Sequence, residues 1–454
     1  MKIDLDLVRK YSVPGPRYTS YPPATQFKDV LAKAELLDRV RISQRRAADL
    51  SLYFHLPFCR SLCWFCGCTT VITTAQNKSA VYLQYLQKEL DLIAPLIQPD
   101  RQVVQLHFGG GTPTFLLPDE IRALGGMIHS RFKVARDAEA GVEIDPRTVT
   151  PDHLKALREV RFNRVSLGVQ DNDPVVQAAV HRIQPAEQTQ RVVGWIREAG
   201  FASLNIDLIY GLPFQRVESF AKTLDQVIAL SPDRLAVFSY AHVPWIKPAQ
   251  RVFKESNLPT AEVKLQLLKL SIEKLTAAGY VYIGMDHFAR ADDELAVAQR
   301  QKKLQRNFQG YSTRAGTNLF AFGMSSISQA DGIYWQNKKE LPAYYASLDQ
   351  SDLPFAKCYF LTEDDKIRRQ TIMRLMCDFG LDFAAMSDAL GIKFREYFAA
   401  ELASLSDLEA DGLVEITEGL LAVTTLGRLL IRNIAMRFDA YLPKDHERRF
   451  SKTI

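Results

Sequence analysis

From about residue 50 the chain alternates short apolar runs with longer stretches in which apolar residues recur at helical spacing. The runs LSLYFHL (50–56), VVQLHFGGG (103–111), GVEID (141–145), RVSLGVQ (164–170), SLNIDLIYGL (203–212) and RLAVFSYA (234–241) are apolar and rich in β-branched or aromatic residues, which predicts six buried strands. Between them, Leu83, Leu86, Leu90, Ile93 and Ile97 mark one helix face, and PDEIRALGGMI, PDHLKALREV and PAEQTQRVVGWIREAG each carry a proline near a first turn. Repeated strand–helix units imply a parallel sheet covered by helices on at least one face. Six such units suit an incomplete α/β barrel of the TIM-like (β/α)6 kind, and an open doubly wound sheet fits the pattern almost as well.

The unusual residues follow the apolar runs. CRSLCWFCGC (59–68) comes after the first and GGGTPT after the second, while Glu143 and Asp145 end the third, Gln170 the fourth and Asp207 the fifth. In a parallel α/β fold these positions share the carboxyl side of the sheet, where functional groups gather. After residue 360 the pattern changes: TEDDKIRRQTIMRLMC and FREYFAAELASLSDLEADG predict helices, LVEITEGLLAVT a hairpin and LGRLLIRNIAMRF a last helix, the order of a winged helix. Glu409, Asp411, Glu415 and Glu418 surround the expected wing and oppose phosphate contact, so this part reads as a lid or packing domain. The expected division is an N-terminal arm and helix (1–48), a strand–helix body (49–290), a connecting and site-covering segment (291–360) and a C-terminal helical, winged-helix-like domain (361–454).

At 454 residues and 47% hydrophobic content the chain has enough apolar material for a large core and a smaller domain. The amino terminus, MKIDLDLVRKYSVPGPRYTSYPP, mixes charge and proline, and no later segment supplies a membrane span, so the expected location is cytoplasmic. A net charge of +5 without a long basic run implies no nucleic acid partner and leaves anionic small molecules open. Four of the six cysteines fall within ten residues. In a reducing compartment such clustering argues for metal or redox chemistry over disulfides. Cys358 and Cys377 lie elsewhere among apolar residues and read as buried filler.

Three readings of the cluster compete. A structural zinc site usually draws on separated pairs of ligands. Small buried hydrophobes would not be concentrated beside Trp64 and Phe65. An iron–sulfur cluster suits thiolates on one short loop. The spacing CxxxCxxC at Cys59, Cys63 and Cys66, directly after a first strand, resembles the radical S-adenosylmethionine superfamily. That resemblance implies a 4Fe-4S cluster held by three thiolates, with its open iron bound by the amino and carboxylate groups of S-adenosyl-L-methionine, whose reductive cleavage yields a 5′-deoxyadenosyl radical. GGGTPT (109–114) supports it, since residues without side chains let the backbone approach a methionyl group.

Further segments extend the likeness over essentially the whole chain. PRYTSYPPATQF, LYFHLPFCRSLCWFCGC, HFGGGTPTFL, VEIDPRTV, RVSLGVQDNDPVVQAAVHR, NIDLIYGLPFQ, FSYAHVPW, GYVYIGMDHFARADDELA, RNFQGYSTRAGTNLFAFGMSSIS and GRLLIRNIAMRFD together resemble the oxygen-independent coproporphyrinogen III oxidase family. The resemblance implies oxidative decarboxylation of two propionate side chains of coproporphyrinogen III to vinyl groups, giving protoporphyrinogen IX in haem biosynthesis. It further implies a low-potential electron donor, an unidentified electron acceptor and a monomeric protein. Two rivals stay open. Related haem chaperones share the three cysteines, but lack the PRYTSYP arm and a counterpart of Cys68; a zinc-stabilised regulatory protein would use the C-terminal segment instead.

By resemblance, Cys59, Cys63 and Cys66 ligate the cluster, and Cys68 completes the family's pattern without ligating, a fourth thiolate ligand being the rival reading. Phe65 would lie against the adenine, or be a core aromatic. Tyr53, Gly110, Gly111, Thr112, Glu143, Gln170, Arg182, Asp207, Ala241 and Ile327 would line cofactor pockets, and Tyr53, Glu143, Phe308 and Gln309 match positions tied to activity. A ribose presents hydroxyl donors that an ionised Glu143 or Asp207 accepts strongly, although a strand-end acid also caps helices. Arg182 would neutralise a carboxylate of cofactor or substrate, or else sit on the surface. His55 shares Tyr53's strand face and also reads as a buried, hydrogen-bonded histidine. PRYTSYP looks like an extended arm or tail, which the resemblance brings near the active site. Substrate carboxylates need basic partners, which the sequence does not single out among 57 Lys and Arg residues.

Overall fold

The structure, a computed structural model, describes residues 5–43 and 48–442; the first residues of the expected arm, residues 44–47 and the end of the C-terminal segment lie outside these. The described residues form two compact units, one within 27–207 and 316–360, the other within 5–26, 208–315 and 361–442.

In the first unit, β1 (Leu50–Leu56), β2 (Gln102–Gly110), β3 (Lys133–Ile144), β4 (Arg164–Gln170) and β5 (Ser203–Tyr210, which runs on past Asp207) are neighbours in chain order. The first four are paired in parallel. Strand order without a reversal is the arrangement of a barrel wall, whereas a doubly wound sheet turns back at a switch point. Helices Asn77–Ile93, Pro118–His129, Pro151–Glu159 and Ala186–Glu198 make the crossovers. Leu83, Leu86, Leu90 and Ile93 form the buried face of the first. Helix starts follow local chemistry: Pro118 takes a position where a missing N–H costs nothing, and the Glu120 carboxylate accepts from the Leu117 N–H at 2.7 Å.

Between residue 241 and the C-terminal hairpin the pattern predicts no strand, yet this unit contains Asn318–Phe322, Ile327–Ala330, Ile333–Asn337 and Phe355–Phe360. Asn318–Phe322 runs parallel to β1 on the side away from β2, and the other three continue as an antiparallel meander. Their legibility is poor because NLFAF and IYWQN bury every residue and so show no alternation. A fully buried Glu89 fastens the meander to the helix Asn77–Ile93, accepting from the Gly323 N–H (2.8 Å), Asn337 Nδ2 (2.6 Å) and Tyr344 OH (2.6 Å). Burial pushes its carboxyl up to about 7.

The second unit contains β6 (Arg234–Ser239), with His287–Arg290 antiparallel to it and Tyr280–Gly284 beyond. A separate hairpin pairs Gln305–Asn307 with Gly310–Ser312. The C-terminal part is mostly helical around a three-stranded sheet of Gly380–Asp382, Leu420–Val423 and Val414–Ile416. Helix Glu363–Asp378 matches expectation, but the single helix expected over FREYFAAELASLSDLEADG is three short ones, Phe394–Tyr397, Ala399–Ala403 and Ser406–Ala410. Phe398, Leu405 and Leu408 lie on one side of this stretch and are buried in the core. LGRLLIRNIAMRF opens as a 3-10 turn before its α-helix, Ile431–Met436. The arm is not a loose tail: Tyr18 and Tyr21 are buried, Tyr18 OH donates to Asp439 at 2.9 Å, and Tyr21 OH accepts from the Ala440 N–H at 3.0 Å. Cys377 is buried, as expected of filler, but Cys358 on the meander's last strand is only half-buried.

Candidate active site

Beyond β1 the chain passes Pro57 into the cysteine loop. Phe58–Cys59 pairs with Val71–Ile72, closing the loop at its base. The loop is also tied outward, with the Trp64 N–H donating to Val180 O at 3.1 Å, the Leu62 carbonyl bonded to His181 Nδ1 at 2.9 Å, and Trp64 stacked on His181. Cys63 is buried, Cys59 and Cys66 are half-buried, Cys68 is exposed, and all are free thiols.

The glycine tract packs directly beneath. Gly111 N–H donates to Leu56 O at 2.8 Å and Thr112 N–H to Phe58 O at 2.9 Å. A Cβ on Gly111 would lie 2.5 Å from the Pro57 carbonyl, and one on Gly110, whose φ is +110°, would lie 2.5 Å from the His55 ring. The chain's own loop and His55 therefore already demand glycine here. His55 is the buried, bonded histidine, its Nε2 2.9 Å from Thr69 O and its Nδ1 3.2 Å from Tyr53 OH. Tyr53 is the one half-buried position of β1 and stacks on His107, its parallel partner on β2. Phe65 is half-buried in the loop.

Electrostatics sort the polar groups. Burial pushes the Cys59 thiol up to about 11, against the Thr112 hydroxyl 3.4 Å away. Arg147 Nη2 and Arg182 Nη1 each lie 3.5 Å from Cys63 Sγ. Both guanidiniums are paired with the buried Asp145, at 2.6 Å and 3.3 Å. Burial alone would raise the Asp145 carboxyl, but Arg182 and Arg147 hold it below the usual range. Arg182 is thus a buried residue, with Nη2 on Gly168 O at 2.7 Å and Nε lacking a partner. Gln170 ends β4 in the left-handed region, with its amide near Gly168.

The two acids differ, Glu143 near the end of β3 and Asp207, expected at a strand end, inside β5. Burial raises Glu143, but His107, 3.4 Å away, and the Gly110 N–H outweigh it and hold the carboxyl below its ordinary value. Burial and the charge of Glu143 push Asp207 up to about 6, despite hydrogen bonds from Ser166 (2.9 Å) and Asn205 (2.7 Å). Neither caps a helix in this structure.

Three thiols in one loop, with two guanidiniums against one of them, are a donor set suited to an anionic thiolate-bound iron–sulfur group. Among the described residues no three His, Cys, Asp or Glu side chains are gathered around a point fit for a single ion. Residues 53–227 match the Radical SAM superfamily model, and residues 361–430 match the HemN C-terminal domain. An oxygen-independent coproporphyrinogen III oxidase of Synechocystis is 46% identical over 100% of this chain and 98% of its own length. Its counterpart in Escherichia coli is 48% identical over 99% of this chain and 98% of its own. This chain belongs to the oxygen-independent coproporphyrinogen III oxidase family. The solved Escherichia coli coproporphyrinogen III oxidase (HemN), described as a radical SAM enzyme, superposes with a TM-score of 0.92 at 46% identity, covering 97% of this chain and 100% of that one. The mixed sheet with parallel strands and the helical C-terminal domain are therefore the family's fold.

Within this family member the remaining expected residues divide between the units. Ile327 is half-buried at the start of its meander strand. Ala241 follows β6 and its carbonyl accepts from Gln250 at 3.2 Å; Phe308 and Gln309 form the turn of the hairpin Gln305–Asn307 and Gly310–Ser312. The sequence reading missed Arg147, His107, Ser166 and Asn205. His107 had a readable signal, standing opposite Tyr53 in strands already assigned, and Arg147 stands two residues after a strand-end acid. No helix among the described residues is long and apolar enough to cross a membrane.

Proposed function

We propose that this chain carries out the anaerobic decarboxylation of two propionates of coproporphyrinogen III to vinyl groups, giving protoporphyrinogen IX. The observation that carries this reading is the closed cysteine loop set over the glycine turn, with Arg147 and Arg182 at Cys63, inside a chain alike to the oxidases along its full length. Cys59, Cys63 and Cys66 would hold the 4Fe-4S cluster, which together with S-adenosylmethionine supplies a 5′-deoxyadenosyl radical as oxidant. Cys68, exposed and donating its N–H to Cys66 Sγ at 3.4 Å, is left out of the ligand set.

The chain's own task is to bind, orient and exclude water. Backbone groups of Gly110, Gly111 and Thr112 offer a close approach to the methionyl portion, and the unpartnered Arg182 Nε offers a donor for its carboxylate, with Gln170 beside it. Glu143, kept ionised, accepts from a ribose hydroxyl, and Asp207, which holds its proton to higher pH than an ordinary aspartate, accepts from another near neutral pH. Phe65 supplies an apolar face for the adenine and Ile327 an apolar wall, and Tyr53 positions the substrate. In the other unit Ala241 matches a cofactor position of the family, and Phe308 and Gln309 match positions tied to activity. Each propionate loses a hydrogen atom from its β-carbon, carbon dioxide and one electron to become a vinyl group, so the cycle draws on a low-potential donor and an acceptor. A monomer in the reducing cytoplasm, with no nucleic acid partner, fits this role. The test is anaerobic: reconstitute with iron and sulfide, reduce, supply S-adenosylmethionine and coproporphyrinogen III, and follow 5′-deoxyadenosine with the porphyrins. Protoporphyrinogen IX formed with 5′-deoxyadenosine is the expected result. Haem bound without decarboxylation, by protein with an intact cluster, overturns it in favour of a chaperone.

A further inference from the structure

The second unit holds a buried cationic group that its own chain does not satisfy. Arg306 is 5% exposed, and its Nε and Nη1 have no hydrogen-bond partner; the same is true of Gln309 Nε2 and His287 Nδ1. Arg306 pairs across the hairpin with Tyr311, its guanidinium 4.7 Å from that ring, while Nη2 donates to Arg17 O at 3.4 Å. The His287 ring stands edge-on to Tyr311 at 5.3 Å. Arg17 donates to Asp286 and lies over Phe238. Close by, the buried Arg432 donates to the carbonyls of Gly15 and Pro16.

Asp286 is paired with Arg17, and the neighbouring Arg234 is taken by Asp293 and Glu294, so no carboxylate is bonded to Arg306. The surplus has effects on its surroundings: burial, then the charge of Arg306, drive His287 down to about 3, and burial with Arg17 drives Arg432 down to about 9. Burying charged donors without an acceptor is unfavourable, and a planar guanidinium fork matches a carboxylate better than any other small anion of comparable polarity that the proposed reaction offers. Arg17, a third exposed, gives the group an edge toward solvent.

We propose that Arg306, with Arg17 beside it and Gln309 on the same turn, forms a carboxylate subsite that receives one propionate of the tetrapyrrole. This rests on the substrate reading above. It gives Gln309 a physical task and picks two arginines from the many basic residues.

The full-length, reconstituted protein is titrated anaerobically with coproporphyrin III, the oxidised and fluorescent form of the substrate, and with its tetramethyl ester, which has the same ring and no charge. The wild type is expected to favour the acid over the ester. Arg306→Gln should weaken acid binding about tenfold, in line with a hydrogen-bonded charge pair, and leave the ester unchanged. Arg306→Lys should recover part of the loss. Arg306→Gln that folds like the wild type by circular dichroism and keeps its acid-to-ester ratio overturns the subsite; should that variant not fold, the ratio in Arg17→Gln decides in the same way. Retention of the ratio while wild type makes protoporphyrinogen IX removes the subsite and spares the activity. A wild type with neither acid preference nor decarboxylation removes both.

Discussion

Two parts of the molecule bury more guanidinium than carboxylate, and they meet the imbalance differently. At the cysteine loop Arg147 and Arg182 share Asp145, and the remaining positive character lies 3.5 Å from the Cys63 sulfur. At the hairpin Arg17 pairs with Asp286 beside the buried Arg306 and Arg432, and Nε and Nη1 of Arg306 have no acceptor. The first group therefore carries its acceptor in the chain, as a thiol that becomes anionic when it binds iron. The second lacks one, as a group does whose acceptor arrives with the substrate. A buried cation surplus thus marks a place for an anion, and whether the chain supplies that anion separates a cofactor-holding site from a substrate-holding one.

The largest effects should come from removing the chain-borne acceptor. Cys59→Ser, Cys63→Ser and Cys66→Ser should each abolish the iron–sulfur absorbance and the bound iron after anaerobic reconstitution, whereas Cys68→Ser should keep both. Loss of the cluster in Cys68→Ser would make the fourth thiol a ligand and break the assignment. Next in size is Arg182→Gln. It leaves the buried Asp145 with Arg147 alone, and losing one partner of a buried charge network should cost about 3 kcal/mol, read by urea unfolding of the cluster-free chain.

Much of the first site was legible in the sequence, because cysteines, glycines and acids all fall in or just beyond recognisable strands. Glu143 and Asp207 could be placed in this way; that one stays ionised while the other rises could not, since His107, Ser166 and Asn205 come from different segments. The second site was hidden for a stronger reason. An arginine in a polar loop is ordinarily solvated, and the isolation of Arg306 exists only once the hairpin packs against Arg17, 289 residues away in sequence. The fold shows the same divide. Amphipathic helices and strands ending in unusual residues could be read directly, whereas the fully buried strands Asn318–Phe322 and Ile333–Asn337 offered no periodicity.

A smaller effect concerns charge on the acid side of the first site. The folded pKa of Asp207, about 6, stands above its unfolded value near 3.8. The folded form therefore holds the proton more tightly, so stability from this group is fully present below about 4 and is lost as pH rises through about 6. Asp207→Asn, which does not titrate, should lack that loss. The wild type should fall behind it by about 3 kcal/mol between these limits, as measured by urea midpoints across the pH range. Parallel pH curves for the two proteins would place Asp207 in an ordinary solvated setting.

The smallest expected effect is the most telling for the comparison. If Arg306 waits for an anion from outside, the ligand-free chain gains little from its charge, and Arg306→Gln should unfold within about 1 kcal/mol of wild type in urea, unlike Arg182→Gln. Adding coproporphyrin III should then stabilise the wild type more than Arg306→Gln, because a ligand stabilises only in proportion to its affinity for the folded state. A loss in ligand-free Arg306→Gln as large as that in Arg182→Gln would mean that the hairpin arginine is paired within the chain. The two regions would then be alike, and the surplus at Asp286 would be structural.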